Sequence, residues 1–198
     1  FFEKLAHFIF SRNHDCFLLT GYAGTGKTTV VRSVVETYRE LKGNIVLLAP
    51  TGRAGKVLSQ RSGIYASTIH RHIYMAKSKG GLAGFTLRPN TSKHTLYVVD
   101  EASMIGDKGN DNAAFGGRSL LEDLVQFVQL GHRCKLLFIG DLAQLPPVGL
   151  SLSPALTPKE LENTYGLNLV THHLTQVIRQ AQTSIVLKNA TQIRELIS

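Results

Sequence analysis

A chain of 198 residues, 43% hydrophobic and 18% charged, is sized and composed for one globular domain with a sizeable core. Its two cysteines exclude a disulfide framework. With no signal-peptide pattern and no apolar run near ~20 residues, the composition argues against secretion or a membrane span and for the cytoplasm. A net charge of +8 points to a polyanionic partner rather than a cationic one.

Residues 1–15 predict an amphipathic helix with Phe2, Leu5, Ala6 and Ile9 on one face, ending near Asn13. The chain opens Phe1-Phe2 rather than with Met, which reads as a piece of a longer protein. Cys16-Phe17-Leu18-Leu19 is a short apolar strand, and Val30, Val31, Val34, Val35, Tyr38 and Leu41 recur at helical spacing, with Gly43 placed to stop that helix. A second strand runs over 44–49 and is closed by Pro50. A helix begins at 51–59, and 67–76 mixes apolar and basic residues as another helix would. The stretch 77–94 has poor periodicity and reads as a loop or small hairpin insert. A third strand follows at 96–99, then a glycine- and asparagine-rich loop at 105–118. Leu120, Leu121, Leu124, Val125 and Val128 form a helical stripe, followed by strands at 135–139 and 167–170 and a closing helix at 185–197. Cys16 and Cys134 each fall in a strand-like run and read as small buried residues. Strands alternating with helices predict an α/β fold of three layers around a mostly parallel sheet.

Between the first strand and the first long helix, Gly21 opens the pattern G-x-x-x-x-G-K-T, a Walker A phosphate loop. Gly21, Ala23, Gly24, Thr25, Gly26, Lys27, Thr28 and Thr29 are its candidate nucleotide-binding residues. Glycines let the backbone wrap around phosphates, and the helix behind aims its positive end at the same charge. Lys27 would reach the β- and γ-phosphates, and the Thr28 hydroxyl would complete a magnesium shell. The third strand ends in Asp100-Glu101. Two acids at a strand end can serve as a helix N-cap, but beside a phosphate loop they read as magnesium ligand (Asp100) and general base (Glu101). The fourth strand should lie alongside and ends in Gly140–Val148, where Gln144 can both donate and accept a hydrogen bond toward a γ-phosphate. No Asp or Glu occurs over 41–99, while Lys42, Arg53, Lys56, Arg61, Arg71, Lys77, Lys79, Arg88 and Lys93 do, which reads as a nucleic-acid surface.

Gly21 to Thr29, Ala49-Pro50-Thr51-Gly52-Arg53-Ala54, Ser67-Thr68-Ile69-His70-Arg71, Val99-Asp100-Glu101-Ala102-Ser103, Gly140 to Val148 and Leu174-Thr175-Gln176-Val177-Ile178-Arg179-Gln180 follow one another in a fixed order. Together they resemble the motifs of superfamily 1 helicases, in the RecD/Dda branch, over residues 16–197. The resemblance implies a RecA-like P-loop NTPase domain binding ATP and Mg2+, part of a 5′-to-3′ motor on single-stranded DNA. It implies γ-phosphate contacts from Gln144 and Arg179, and a DNA path along Thr51, Gly52, Arg53, Thr68 and His70. The insert at 77–94 takes the place of a strand-separating pin, with Phe85 as one candidate wedge. It further implies a second RecA-like domain, absent from these 198 residues and needed for unwinding, and repair or recombination subunits as possible partners. One departure stands out: the adenine-reading glutamine expected upstream of the phosphate loop is missing, since the first glutamine is Gln60. Two other readings of the residues are a P-loop kinase of a small molecule and a nucleotide-switched interaction module.

Overall fold

The computed structural model describes residues 1–79, 82–106 and 118–175. Its centre is a six-stranded sheet, built from β1 (Cys16–Gly21), β2 (Asn44–Ala49), β3 (Ala66–Thr68), β6 (Thr95–Val99), β7 (Lys135–Gly140) and β8 (Leu169–Leu174). The order is β3-β2-β6-β7-β1-β8, and every neighbouring pair is parallel. The central strands β1, β6 and β7 are almost wholly apolar because both faces are covered, as parallel sheets require, whereas the edge strands β3 and β8 carry Ser67, Thr68, Thr171, His172 and His173. Phe17, Leu19, Leu47, Val98, Leu137 and Ile139 face α1 (Phe2–Phe10), α2 (Lys27–Glu40) and α3 (Gly52–Ser62). Their alternates Cys16, Leu18, Leu48, Tyr97, Val99, Leu136 and Phe138 face α4 (Ile69–Ile73), α5 (Leu120–Leu130) and α6 (Pro158–Asn163). The expected three layers are therefore present, with a sheet that is parallel throughout rather than mostly.

Four local expectations change. The first helix ends at Phe10, not near Asn13, and buries Leu5 and Phe8 while Phe2 and Ala6 stay exposed. Phe8 wins because its ring packs on Phe17 at 5.5 Å. α2 stops at Glu40; Lys42 takes the left-handed turn (φ 53°) and the Gly43 N–H donates to the Tyr38 carbonyl. Residues 67–76 are not one helix: α4 lasts five residues, and Tyr74 already opens an antiparallel hairpin of β4 (Tyr74–Lys79) and β5 (Leu82–Leu87). The insert thus starts three residues before 77. Cys134 sits half-buried just ahead of β7, its Sγ 3.5 Å from the Ser92 carbonyl, whereas Cys16 is fully buried and burial pushes its thiol up. Arg179, the helix at 185–197 and most of the 105–118 loop lie outside the described residues. No helix among those described is long and apolar enough to cross a membrane.

Candidate active site

Parallel pairing brings the C-terminal ends of the strands to one edge: Thr20 pairs with Gly140, Val99 with Phe138 and Leu48 with Val99. The segments that leave these ends therefore converge, and the crevice beyond carboxyl strand ends is where open α/β sheets bind ligands. The phosphate loop turns through Gly24 (φ 83°) and Gly26 (φ 87°), left-handed conformations that cost glycine nothing. Gly21 is required by packing instead. A Cβ there would lie 2.6 Å from Thr25 Oγ1 and 2.9 Å from Leu174 Cβ of the neighbouring strand. The Thr25 hydroxyl donates to the Tyr22 carbonyl at 2.8 Å and fixes the bend.

The Lys27 ammonium is folded onto its own loop. It donates to the carbonyls of Gly21 (2.6 Å) and Tyr22 (3.0 Å) and lies 3.4 Å from the Asp141 carboxylate. Asp141 is only 3% exposed, so its charge depends on that ammonium and on the Ala143 N–H at 2.9 Å. Anionic phosphates entering the loop would find a cation already positioned.

One cavity of about 650 Å³ gathers the predicted residues of several motifs. Lys27, Thr28, Asp100, Glu101 and Gln144 line it, together with Thr51, Arg53 and Arg61. Burial first, and then the Glu101 carboxylate, push the Asp100 carboxyl up to about 6; the Glu101 N–H and the Lys27 and Arg61 charges offset only part of this. A carboxyl in that state is under-supplied with positive charge, which is the condition a divalent cation relieves. Glu101 sits at φ 55°, left-handed for a residue with a Cβ, the kind of strained backbone found at functional sites. Gln144 is exposed, and its side-chain oxygen accepts a hydrogen bond from the Ser103 hydroxyl.

Thr51 and Thr68 are N-caps of α3 and α4, accepting the N–H groups of Ala54 and Arg71 at 3.2 Å each. Register places Thr68 beside Ala49, so both caps stand at the same sheet edge. Thr68 and His70 do not reach the cavity. His70 tilts against the Tyr74 ring at 5.8 Å, and burial pulls its proton affinity down. Gly52 faces open space, with no heavy atom within 4 Å of where a Cβ would stand.

Two contacts to the loop's own residues escape a reading of the sequence. Asp141 falls inside the Gly140–Val148 motif, but 114 residues separate it from Lys27, and only the β1–β7 pairing joins them. Arg61 lines the cavity and its Nη1 donates to the Thr28 hydroxyl at 3.4 Å. Its spacing from Val57, Leu58 and Arg53 on α3 is the signal that could have marked it.

Residues 3–195 match the family model described as an AAA domain. The chain is 34% identical over 177 residues to the ATP-dependent RecD2 DNA helicase of Deinococcus radiodurans, covering 89% of this chain and 21% of that protein. It is 32% identical over 134 residues to the ATP-dependent DNA helicase dda of Enterobacteria phage T4, covering 66% of this chain and 28% of that protein. The chain thus spans less than a third of the length of either relative. A crystal structure of Bacteroides Pif1 bound to ssDNA aligns with a TM-score of 0.54 at 19% identity, covering 93% of this chain and 44% of that one, a likeness of fold. The chain belongs to the AAA domain family, as a RecA-like domain of the RecD/Dda-like superfamily 1 type.

Proposed function

We infer that the chain is the ATP-binding and hydrolysing core of a RecD-like DNA helicase, working 5′ to 3′ on single-stranded DNA together with a second RecA-like domain. The observation that carries this is the convergence of Lys27, Thr28, Asp100, Glu101 and Gln144 on one cavity beside a Walker A loop. Lys27 would bind the β- and γ-phosphates, its contacts to Gly21 and Tyr22 exchanged for phosphate oxygens. Thr28 and Asp100 would hold Mg2+, which would neutralise charge on the phosphates. Glu101 would take a proton from the attacking water. Gln144 would give up the Ser103 hydroxyl to contact the γ-phosphate, and Arg179 would join it there.

The DNA path would run over Thr51, Gly52, Arg53, Thr68 and His70. Each threonine oxygen already accepts a backbone N–H and keeps its own O–H to donate to a phosphate. His70, held neutral by burial, would contribute a hydrogen bond rather than a charge. Leu145 and Val148 are 90% and 94% exposed on the loop beside the cavity. A second domain closing over this face would cover them. The hairpin, with Phe85 about half exposed, is placed in sequence where the pin would be. Two relatives, RecD2 and dda, are ATP-dependent DNA helicases, which supports this reading over a kinase or a switch module.

Steady-state ATP hydrolysis, with and without single-stranded DNA, tests it on this chain and on a version extended through the following domain. Hydrolysis stimulated by DNA in the extended version is expected. Glu101→Gln should lower turnover by about 10²-fold or more while leaving ATP binding intact. Normal turnover in that variant would sink the base assignment.

A further inference from the structure

A second, basic groove lies at the opposite end of the sheet, where the strands begin. One cavity of about 570 Å³ is lined by residues that include Phe10, Arg12, Tyr38, Leu41, His94 and Arg133. A second, of about 480 Å³, adjoins it through the shared residues Gly43 and Thr95 and carries Arg39 and Lys93. The cavities lie at the ends of the acid-free stretch: Leu41 to Gly43 precede β2, and Lys93 and His94 precede β6. That stretch therefore supplies positive charge to both ends of the molecule, and the nucleotide site accounts for one of them.

Its chemistry is specific in three respects. Among the described residues, Arg12 and Arg133 have no hydrogen-bond or ion-pair partner, so two guanidiniums stand at a cavity wall outside any ion pair. The one acid lining either cavity, Asp15, already accepts from the backbone and side-chain amides of Asn168 at 3.2 and 2.9 Å. Apolar side chains, Ile9, Phe10, Tyr38 and Leu41, make up part of the remaining wall of the first cavity. Phe10 is 73% exposed and Leu41 54%, an apolar surface at the cavity on which a flat group can stack. Three of the four described non-glycine residues with positive φ, Lys42, His94 and Arg133, border this groove, and the fourth is Glu101 in the nucleotide site.

We propose that this groove is a second binding track for single-stranded nucleic acid, with a base against Phe10 and the apolar wall and adjacent phosphates on Arg12 and Arg133. Unpaired cations in a continuous groove with an aromatic face are what sequence-independent single-strand binding uses. A cavity of this size accepts one base, and its connection to a second basic cavity suits a polymer better than a free anion. The track is remote from the residues of the nucleotide site, so it stands whether or not Thr51 to Arg53 contact DNA.

The test is fluorescence anisotropy of a labelled oligothymidylate at low salt, on the chain itself and on two variants. In the first, Arg12→Glu is combined with Arg133→Asn, asparagine being a residue that tolerates the positive φ at 133. The second is Phe10→Ala. Each should weaken binding by about tenfold or more and leave binding of a fluorescent ATP analogue unchanged. Oligothymidylate carrying 5-iodouridine should cross-link to the peptide containing Phe10. Unchanged affinity in both variants, or cross-links confined to the Thr51–His70 region, would overturn the second track while leaving the ATPase reading untouched. Tighter binding of a polyglutamate peptide than of the oligonucleotide, lost in the same variants, would also overturn it and assign the groove to an acidic protein segment.

Discussion

Asp100 carries a pH signature that follows from where it sits. Burial and the neighbouring Glu101 carboxylate lift its carboxyl from an ordinary 3.8 to about 6. The folded protein then holds that proton more tightly than the unfolded chain between those two values. Stability contributed by the protonated form is present below about pH 4 and is lost as pH rises through about 6. Asp100→Asn should therefore stabilise the ligand-free protein at pH 7 by about 1–3 kcal/mol and give little change at pH 4. Thermal melts of both proteins across that range check the sign. Addition of Mg2+ at pH 7 should raise the melting temperature of the wild type and not of the variant. A variant no more stable than wild type at pH 7 would mean the carboxylate is better solvated than its burial indicates. The neighbouring Lys27–Asp141 pair makes a different point about residues. The Walker A lysine was legible from spacing alone, but its buried partner was not, because that contact is made by strand pairing and by nothing local.

The same contrast runs through the secondary-structure elements. β1, β2, β6 and β7 were legible because each is an apolar run closed by glycine, proline or an acid, and α2 because its valines repeat at helical spacing. β3 was not, since three residues are too few to show a period. The hairpin was half seen: Tyr74, Met75 and Ala76 continue the helical mixture of α4 by composition, and only tertiary contacts turn them into a strand. Those contacts are specific. The Tyr74 hydroxyl donates to the Asp123 carboxylate at 2.6 Å, and Arg118 Nε lies 3.0 Å from the other oxygen of the same carboxylate. Arg88 closes the base of the hairpin, its N–H donating to the Ile73 carbonyl at 2.7 Å and its guanidinium to the Tyr74 carbonyl at 3.2 Å. Asp123 is nearly fully buried on α5, so it cannot turn to water if the phenol is removed. Tyr74→Phe should destabilise the protein by about 1–3 kcal/mol, the cost of a buried acceptor losing its donor. Amide exchange in β4 and β5 should accelerate more than in the central sheet. Uniform acceleration would show instead that the hairpin has no stability of its own to lose.

At the scale of the whole molecule, the parallel sheet separates two functional ends, and one lysine ties the end away from the phosphate loop together. Lys135 opens β7, and its ammonium donates to the carbonyls of Phe8 (2.9 Å), Ser11 (2.8 Å) and His14 (2.6 Å) while lying 4.7 Å from the centre of the Phe8 ring. Those three carbonyls belong to the last turn of α1 and the segment leading into β1, where helix geometry leaves carbonyls without partners. The lysine thus caps the C-terminal end of α1, which closes at Phe10 ahead of the polar run Ser11 to Asp15. α1 in turn lays Leu5 and Phe8 over Phe17 and Leu19 of β1, the strand that delivers the phosphate loop. Lys135→Met keeps the length of the side chain and removes all three donors. A loss of about 2–4 kcal/mol is expected, corresponding to a fall in melting temperature of about 4–16 °C for a chain of this size. Nucleotide binding measured well below the new melting temperature should survive, because the loop at the far end of β1 is held by its own contacts to Tyr22 and Asp141. An unchanged melting temperature would show that Phe8 alone holds the helix. Loss of nucleotide binding while the fold persists would show instead that the two ends of β1 are coupled.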